Sequence, residues 1–219
     1  MKKTIAFIAV VAALLATGTA KAQMTVNVGY APVTLTNQTT VGNTTTTTTS
    51  DMNGFFAGVT YNYNLNKGLG VALGLQGRYN IKTSTGSANF VVISGNDKST
   101  TTQLLLDVPV LLNYGLDLGS AKLVAFAGPT FSYALYGNTH VTTTTTILGA
   151  SSTTESDYAM YDDNSSNERL DISATVGLEL QYSDFRLFGG YRVGLLDLNS
   201  NSNVKTTSSG LFVGLGFAL

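Results

Sequence analysis

The chain has 219 residues, of which 43% are hydrophobic and only 11% charged, too few charges to coat an ordinary water-facing domain, where about a quarter of residues are charged. The apolar and aromatic content excludes disorder, and the absence of Cys excludes a disulfide framework or a thiolate metal site. A formal net charge of −1 with no basic run excludes nucleic acid as a partner.

At the N-terminus, Lys2-Lys3, an apolar run from Ile5 to Ala16 and then Ala20-Lys21-Ala22 form the three parts of a secretory signal. They predict a signal peptide over residues 1–22 and a single domain over 23–219. The apolar run is too short to cross ~30 Å of hydrocarbon as a helix. Without residues 1–22 the chain keeps nine basic and thirteen acidic side chains, so the exported domain is mildly acidic.

The rest of the sequence alternates with period two, the signature of strands with chemically distinct faces. From Phe55 to Leu65 the odd positions are Phe, Ala, Val, Tyr, Tyr and Leu, with Phe56, Gly58, Thr60, Asn62 and Asn64 between them. Residues 69–82, 170–182, 185–195 and 209–219 alternate in the same way. Weaker patterns at 24–34, 101–116 and 121–137 complete a set of eight strands; Pro109 and Pro129 each remove a ladder donor there, and bulges at those points would accommodate them. Connections near 66–67, 117–120 and 184 are tight, whereas those at 35–52, 83–100, 138–167 and 199–206 are long, which places every long loop at one end.

The two faces decide which way the barrel turns. The positions between the large apolar residues are mostly Gly, Ala, Ser, Thr and Asn, not the Lys and Glu of a water-facing wall. They suit a crowded interior, while Leu, Val, Phe and Tyr suit lipid. The expected fold is all-β: an eight-stranded antiparallel transmembrane β-barrel with long extracellular loops and short periplasmic turns. Its location is the outer membrane of a Gram-negative bacterium, where a closed sheet leaves no unpaired edge in hydrocarbon. Tyr61, Tyr63, Tyr79, Tyr114, Tyr133, Tyr182 and Tyr191 share the outward parity, as an interfacial girdle requires.

Two groups of candidate functional residues follow. Arg78, Arg186 and Arg192 share the inward parity with Asp107, Asp171 and Glu179, and in so narrow a lumen three cations and three anions predict a paired polar network that plugs the barrel. In the longest loop Tyr158, Met160 and Tyr161 stand beside Asp162 and Asp163, a place where amphipathic aromatics meet charge and could contact a partner. The Thr-rich tracts 44–49 and 142–146 read as a flexible hydrophilic cap. Glu155, Asp157, Asp162 and Asp163 lack the spacing of a calcium loop. The single imidazole, His140, could pair with Ser132 as nucleophile and with Glu155 or Asp157 as orienter, but no spacing ties these residues together. No catalytic, cofactor or metal site is therefore expected.

Leu105-Leu106-Asp107-Val108-Pro109-Val110-Leu111-Leu112-Asn113-Tyr114 and Ala127-Gly128-Pro129-Thr130-Phe131-Ser132-Tyr133 resemble paired strands of the PorT-like outer-membrane β-barrel family. Asp171 to Glu179 and Gly190 to Leu195 resemble two further strands of that family. The resemblance spans about residues 100–137 and 168–219. It implies a small eight-stranded barrel, keeps both prolines, and brings an association with protein secretion through the family's namesake. It also implies recognition of the C-terminal strand by the barrel-assembly machinery; this chain ends Phe217-Ala218-Leu219 instead of on an aromatic residue, so Phe217 is the residue expected to be read. The expected partners are outer-membrane lipid and that machinery, and the expected state is a monomer. The function expected first is a structural or surface-interaction role through the extracellular loops, without catalysis. A narrow channel or hydrophobic-ligand transporter comes second, and an accessory to secretion third.

Overall fold

A computed structural model of the protein describes residues 22–66, 68–89, 93–148, 150–162 and 165–219. The signal peptide expected over 1–22 falls outside this range except for Ala22, and Asp163 also lies outside the described residues. Every named element is a strand: β1 (Ala22–Tyr30), β2 (Val33–Val41), β3 (Thr44–Asn66), β4 (Leu69–Asn89), β5 (Ile93–Asp117), β6 (Ala121–Ile147), β7 (Ala150–Ala159), β8 (Leu170–Tyr182), β9 (Phe185–Gly194) and β10 (Val204–Ala218).

Antiparallel pairing runs β1–β3–β4–β5–β6–β8–β9–β10 and returns from β10 to β1, closing a ring of eight staves. β2 continues the line of β1 beyond Ala31-Pro32. It keeps the same registers, with Tyr30↔Phe55 and then Val33↔Met52 against β3, so the expected first strand is present but broken where proline withdraws a donor. The Ala31 amide still donates to the Gly54 carbonyl at 2.8 Å across the break.

Short turns join β3 to β4, β5 to β6 and β8 to β9 at one end. Gly68 and Gly119 take φ of 85° and 84° there, a left-handed backbone open to residues without a Cβ, and Ser183 takes 51°. At the other end three of the four long connections are not irregular loops. Residues 35–52, the described parts of 83–100 and much of 138–167 extend the strands into the hairpins β2–β3, β4–β5 and β6–β7, with Thr36↔Thr49, Thr83↔Thr100 and Thr144↔Thr153 in register. The flexible cap expected of the Thr tracts is thus an ordered sheet. Threonine is β-branched and fits a pleated ladder well, a preference that a reading of polarity alone overlooks. Between β9 and β10 the connection is a true loop, in which the amides of Asn199, Asn201 and Asn203 donate in turn to the side chains of Asp197, Asn199 and Asn201.

The interior is more polar than the exterior, the reverse of a soluble domain. Thr175 and Ser173 are 4% and 1% exposed, whereas Val176 and Leu178 beside them are 57% and 55% exposed. Tyr30, Phe55 and Tyr79 stand side by side on three neighbouring staves, a lipid-facing aromatic row toward the hairpin end. The bulges expected at the prolines are not there. The β4–β5 offset is the same at Leu73↔Val110 and Gln76↔Asp107, with pairing lapsing only between them, and the β5–β6 offset is likewise unchanged across Pro129. A missing donor opens the ladder locally without requiring an extra residue. Pro109 has room inside because Gly74 faces it: a Cβ at Gly74 would lie 2.6 Å from the proline Cγ. The register of β5 on β6 shifts instead between Leu104 and Leu105, with Leu135 unpaired on the facing strand.

Candidate functional site

The inward side chains of the barrel form layers. Midway along the lumen, Asp107 of β5 accepts from Arg78 Nε at 2.9 Å and from Arg192 Nη1 at 2.8 Å, so one fully buried carboxylate ties β4 to β9 across the interior. Desolvation opposes such a bridge, yet breaking it is costly, because removing the shared anion would leave two buried cations unpaired. Toward the short turns, Arg186 lies 3.8 Å from Glu179 and donates to Gln23 Oε1 at 2.7 Å, while Gln181 donates to Glu179 at 2.6 Å. Asp171 joins neither group. It accepts from Ser208 Oγ at 2.6 Å, and its second oxygen has no partner. The six residues grouped by parity therefore divide into a triad, a pair and a separate aspartate.

The same walls carry a feature that sequence reasoning passed over. Phe56, Phe126, Phe188 and Phe212 all point inward, each directly across the ladder from a glycine: Gly29, Gly177, Gly214 and Gly190 respectively. A Cβ on Gly29 or Gly177 would lie 2.4 Å from the facing ring. The rings thus lie against the wall, over neighbours that have no side chain. They pair across the interior, Phe56 with Phe188 at 6.1 Å and Phe126 with Phe212 at 6.2 Å between centroids. Between them remains a chamber of about 70 Å³, which Gln76, Glu179 and Arg192 also border. The signal was available as Phe recurring at inward parity with Gly on adjoining strands. A tally of small residues hid it.

A second cavity of about 70 Å³ lies toward the hairpins, bordered by Arg78, Asn80, Gln103, Asp171 and Arg169. Met160 and Tyr161 cover it, so the surface group proposed from sequence is divided. Gln103 Nε2 donates to the Tyr161 hydroxyl at 3.1 Å and lies 3.8 Å from Met160 Sδ, and burial pushes the Tyr161 phenol up from its ordinary value. Both side chains turn into the barrel mouth because Gly137 leaves room for the Tyr161 ring. Tyr158 instead faces outward at 59% exposed, and Asp162 is also exposed. Arg169, which precedes the strand pattern and was not singled out, locks this lid: its guanidinium donates to the carbonyls of Ala134, at 3.1 Å, and Tyr161, and it stacks over the Tyr161 ring at 5.2 Å.

The hydrolytic constellation considered for His140 is not assembled. His140 Nδ1 is 2.9 Å from Asp157 Oδ1 on the projecting β6–β7 hairpin, but Ser132 lies in the lumen opposite Asp107, eight residues down the strand or roughly 26 Å away. Asn138 also donates to Asp157 at 3.0 Å, and these two donors hold the carboxylate below the ordinary value of 3.8. Among the described residues no three His, Cys, Asp or Glu side chains are grouped as a metal site would need.

A closed antiparallel ring with an apolar exterior, a layered polar interior and hairpins at one end is a transmembrane β-barrel of the outer-membrane type. The sequence matches the family described as outer membrane protein beta-barrel domain over residues 16–200, and the chain belongs to that family. The protein accordingly resides in the Gram-negative outer membrane. Among solved structures, the attachment invasion locus protein Ail of Yersinia pestis is 16% identical, with 89% of this chain and 98% of that one covered and a TM-score of 0.30. Neisserial surface protein A is 15% identical, with 88% and 96% covered and a TM-score of 0.35. The outer membrane protease OmpT of Escherichia coli is 7% identical, with 90% and 97% covered and a TM-score of 0.37. Among curated proteins none matches the chain.

Proposed function

We propose that the protein is a small, non-catalytic, monomeric surface barrel whose wall anchors a projecting sheet that contacts partners outside the cell. The observation that supports this most is the free edge of β7. This ten-residue strand pairs with β6 alone among the named strands, so one row of its backbone donors and acceptors is open to an added strand. Glu155 and Asp157 on that strand favour an extended segment carrying basic side chains. Replacing residues 143–157 by a two-residue Gly-Ser turn removes most of the edge, Glu155 and Asp157 included, and leaves the lid at Met160 and Tyr161 in place. The variant is expected to fold and insert normally and to lose surface binding. Unchanged adhesion and envelope phenotypes would end the reading.

A second reading, passage of a small apolar solute, is supported by the phenylalanine-lined chamber. The kinship we propose within the family is PorT-like, on the strands around Pro109 and Pro129, with a role as accessory to secretion carried by that likeness alone. For assembly, Phe217 stands on the lipid face of the last strand, 5.4 Å from the Phe185 ring, and is the residue we propose the barrel-assembly machinery reads.

A further inference from the structure

We propose that the chamber beneath the Arg78–Asp107–Arg192 bridge is a binding site for a small uncharged aromatic molecule bearing one hydrogen-bonding oxygen. It deepens the solute reading but does not require transport. Three observations lead there. The four inward phenylalanines lie against facing glycines, so they line the lumen without filling it, and aromatic surface is presented to the cavity from four staves. The remaining 70 Å³ is about half the roughly 150 Å³ of a dry apolar cavity that holds benzene, so one six-membered ring is the upper limit of its guest and enters only as the surrounding side chains yield.

The third observation concerns polar atoms. Thr25 is 3% exposed, borders the chamber, and its hydroxyl has no partner among the described residues. Arg192 borders it too, and while its Nη1 is engaged by Asp107, its Nε has no partner. A purely apolar guest would leave both unsatisfied, at the cost of a desolvated polar group each; an oxygen on the guest beside Thr25, which packs next to Arg186 and well away from Arg192 along β9, relieves the first of them. Charge selects against an acid, because Glu179 also faces the chamber. The bridge closes the chamber toward the hairpins, so the guest enters from the side of the short turns.

The test uses the mature barrel refolded in detergent, labelled at Ala, Leu and Val methyls, with phenol and benzene as probes. Phenol is expected to produce saturable shifts at Ala72, Leu111 and Val124. Lipid-facing Leu178 and Val213, which report partition into the micelle, are expected to shift without saturation. Thr25→Val should weaken phenol about tenfold and leave benzene unchanged, and Ala72→Leu, which takes up the cavity, should abolish saturation by both. Heat-modifiable gel mobility verifies folding of each variant. Non-saturating shifts at the chamber methyls, or phenol affinity unchanged in Thr25→Val, would overturn the site. Saturable binding without phenol flux across proteoliposomes would uphold the site and remove the transport reading, so the two fail separately.

Discussion

β6 passes through two environments within one continuous strand. From Ala121 to Ala134 its inward residues include Val124, Phe126 and Thr130, and its outward residues include Ala125, Ala127 and Phe131. From Asn138 to Ile147 it carries threonine on both faces. Hydrogen bonding to β5 continues through both halves, and the register shift at Leu104/Leu105 separates them. The ladder therefore owes nothing to hydrophobic alternation. Lipid on one side and a crowded lumen on the other impose the alternation below the bulge. Above it water wets both faces, and β-propensity with cross-strand Thr pairs suffices.

The largest effect expected below the bulge comes from the shared anion. Asp107→Ala leaves Arg78 and Arg192 buried without a counter-charge and should cost about 3–5 kcal/mol in urea unfolding from lipid vesicles; a loss under 1 kcal/mol would mean that water fills the lumen. Next comes a matched pair across the divide. Leu178→Arg, on the lipid face, should cost about 2–4 kcal/mol, whereas Thr144→Arg should stay within about 0.5 kcal/mol. Equal costs would erase the boundary. Gly177→Ala puts a methyl against the Gly189 carbonyl and the Phe126 ring, each 2.4 Å from the ideal Cβ position. It should cost roughly 1–3 kcal/mol by overpacking, and a neutral result would show that the rings do not lie on their glycines.

The smallest effect lies on the projecting hairpin. Because Asp157 is held below 3.8 by donors from His140 and Asn138, its contribution to hairpin order is fully present above that value and lost as pH falls through the depressed one. Cross-strand amide shifts at Asn138 and Tyr158 should stay paired down to about pH 4 and collapse together below it. Collapse in Asp157→Asn at neutral pH, where no carboxylate remains to titrate, would agree; persistence of the acid transition in that variant would assign it elsewhere.

Legibility in the sequence followed the same divide. The alternation at 55–65, 69–82, 170–182 and 209–219 reveals the staves, their outward faces and the side of the short turns, because lipid enforces a period-two code. Parity also placed Arg78, Asp107 and Arg192 on the inside. It did not resolve which ions meet, since Asp171 and Asp107 share a face and differ only in the opposing strand. The Thr tracts gave no alternation to read, so their hairpins looked like loops. Met160 and Tyr161 turned inward through a space at Gly137, which is set by tertiary contact and leaves no local pattern.

The account rests on β6 crossing from lipid to water at the bulge. The chain has no cysteine, so single spin-labelled cysteines at Ala125, Ala127, Thr143 and Thr145 in reconstituted vesicles report depth without interference. High oxygen and low nickel accessibility at Ala125 and Ala127, with the opposite at Thr143 and Thr145, is the result predicted. Lipid-like accessibility at Thr143, or water-like accessibility at Ala125, would contradict it.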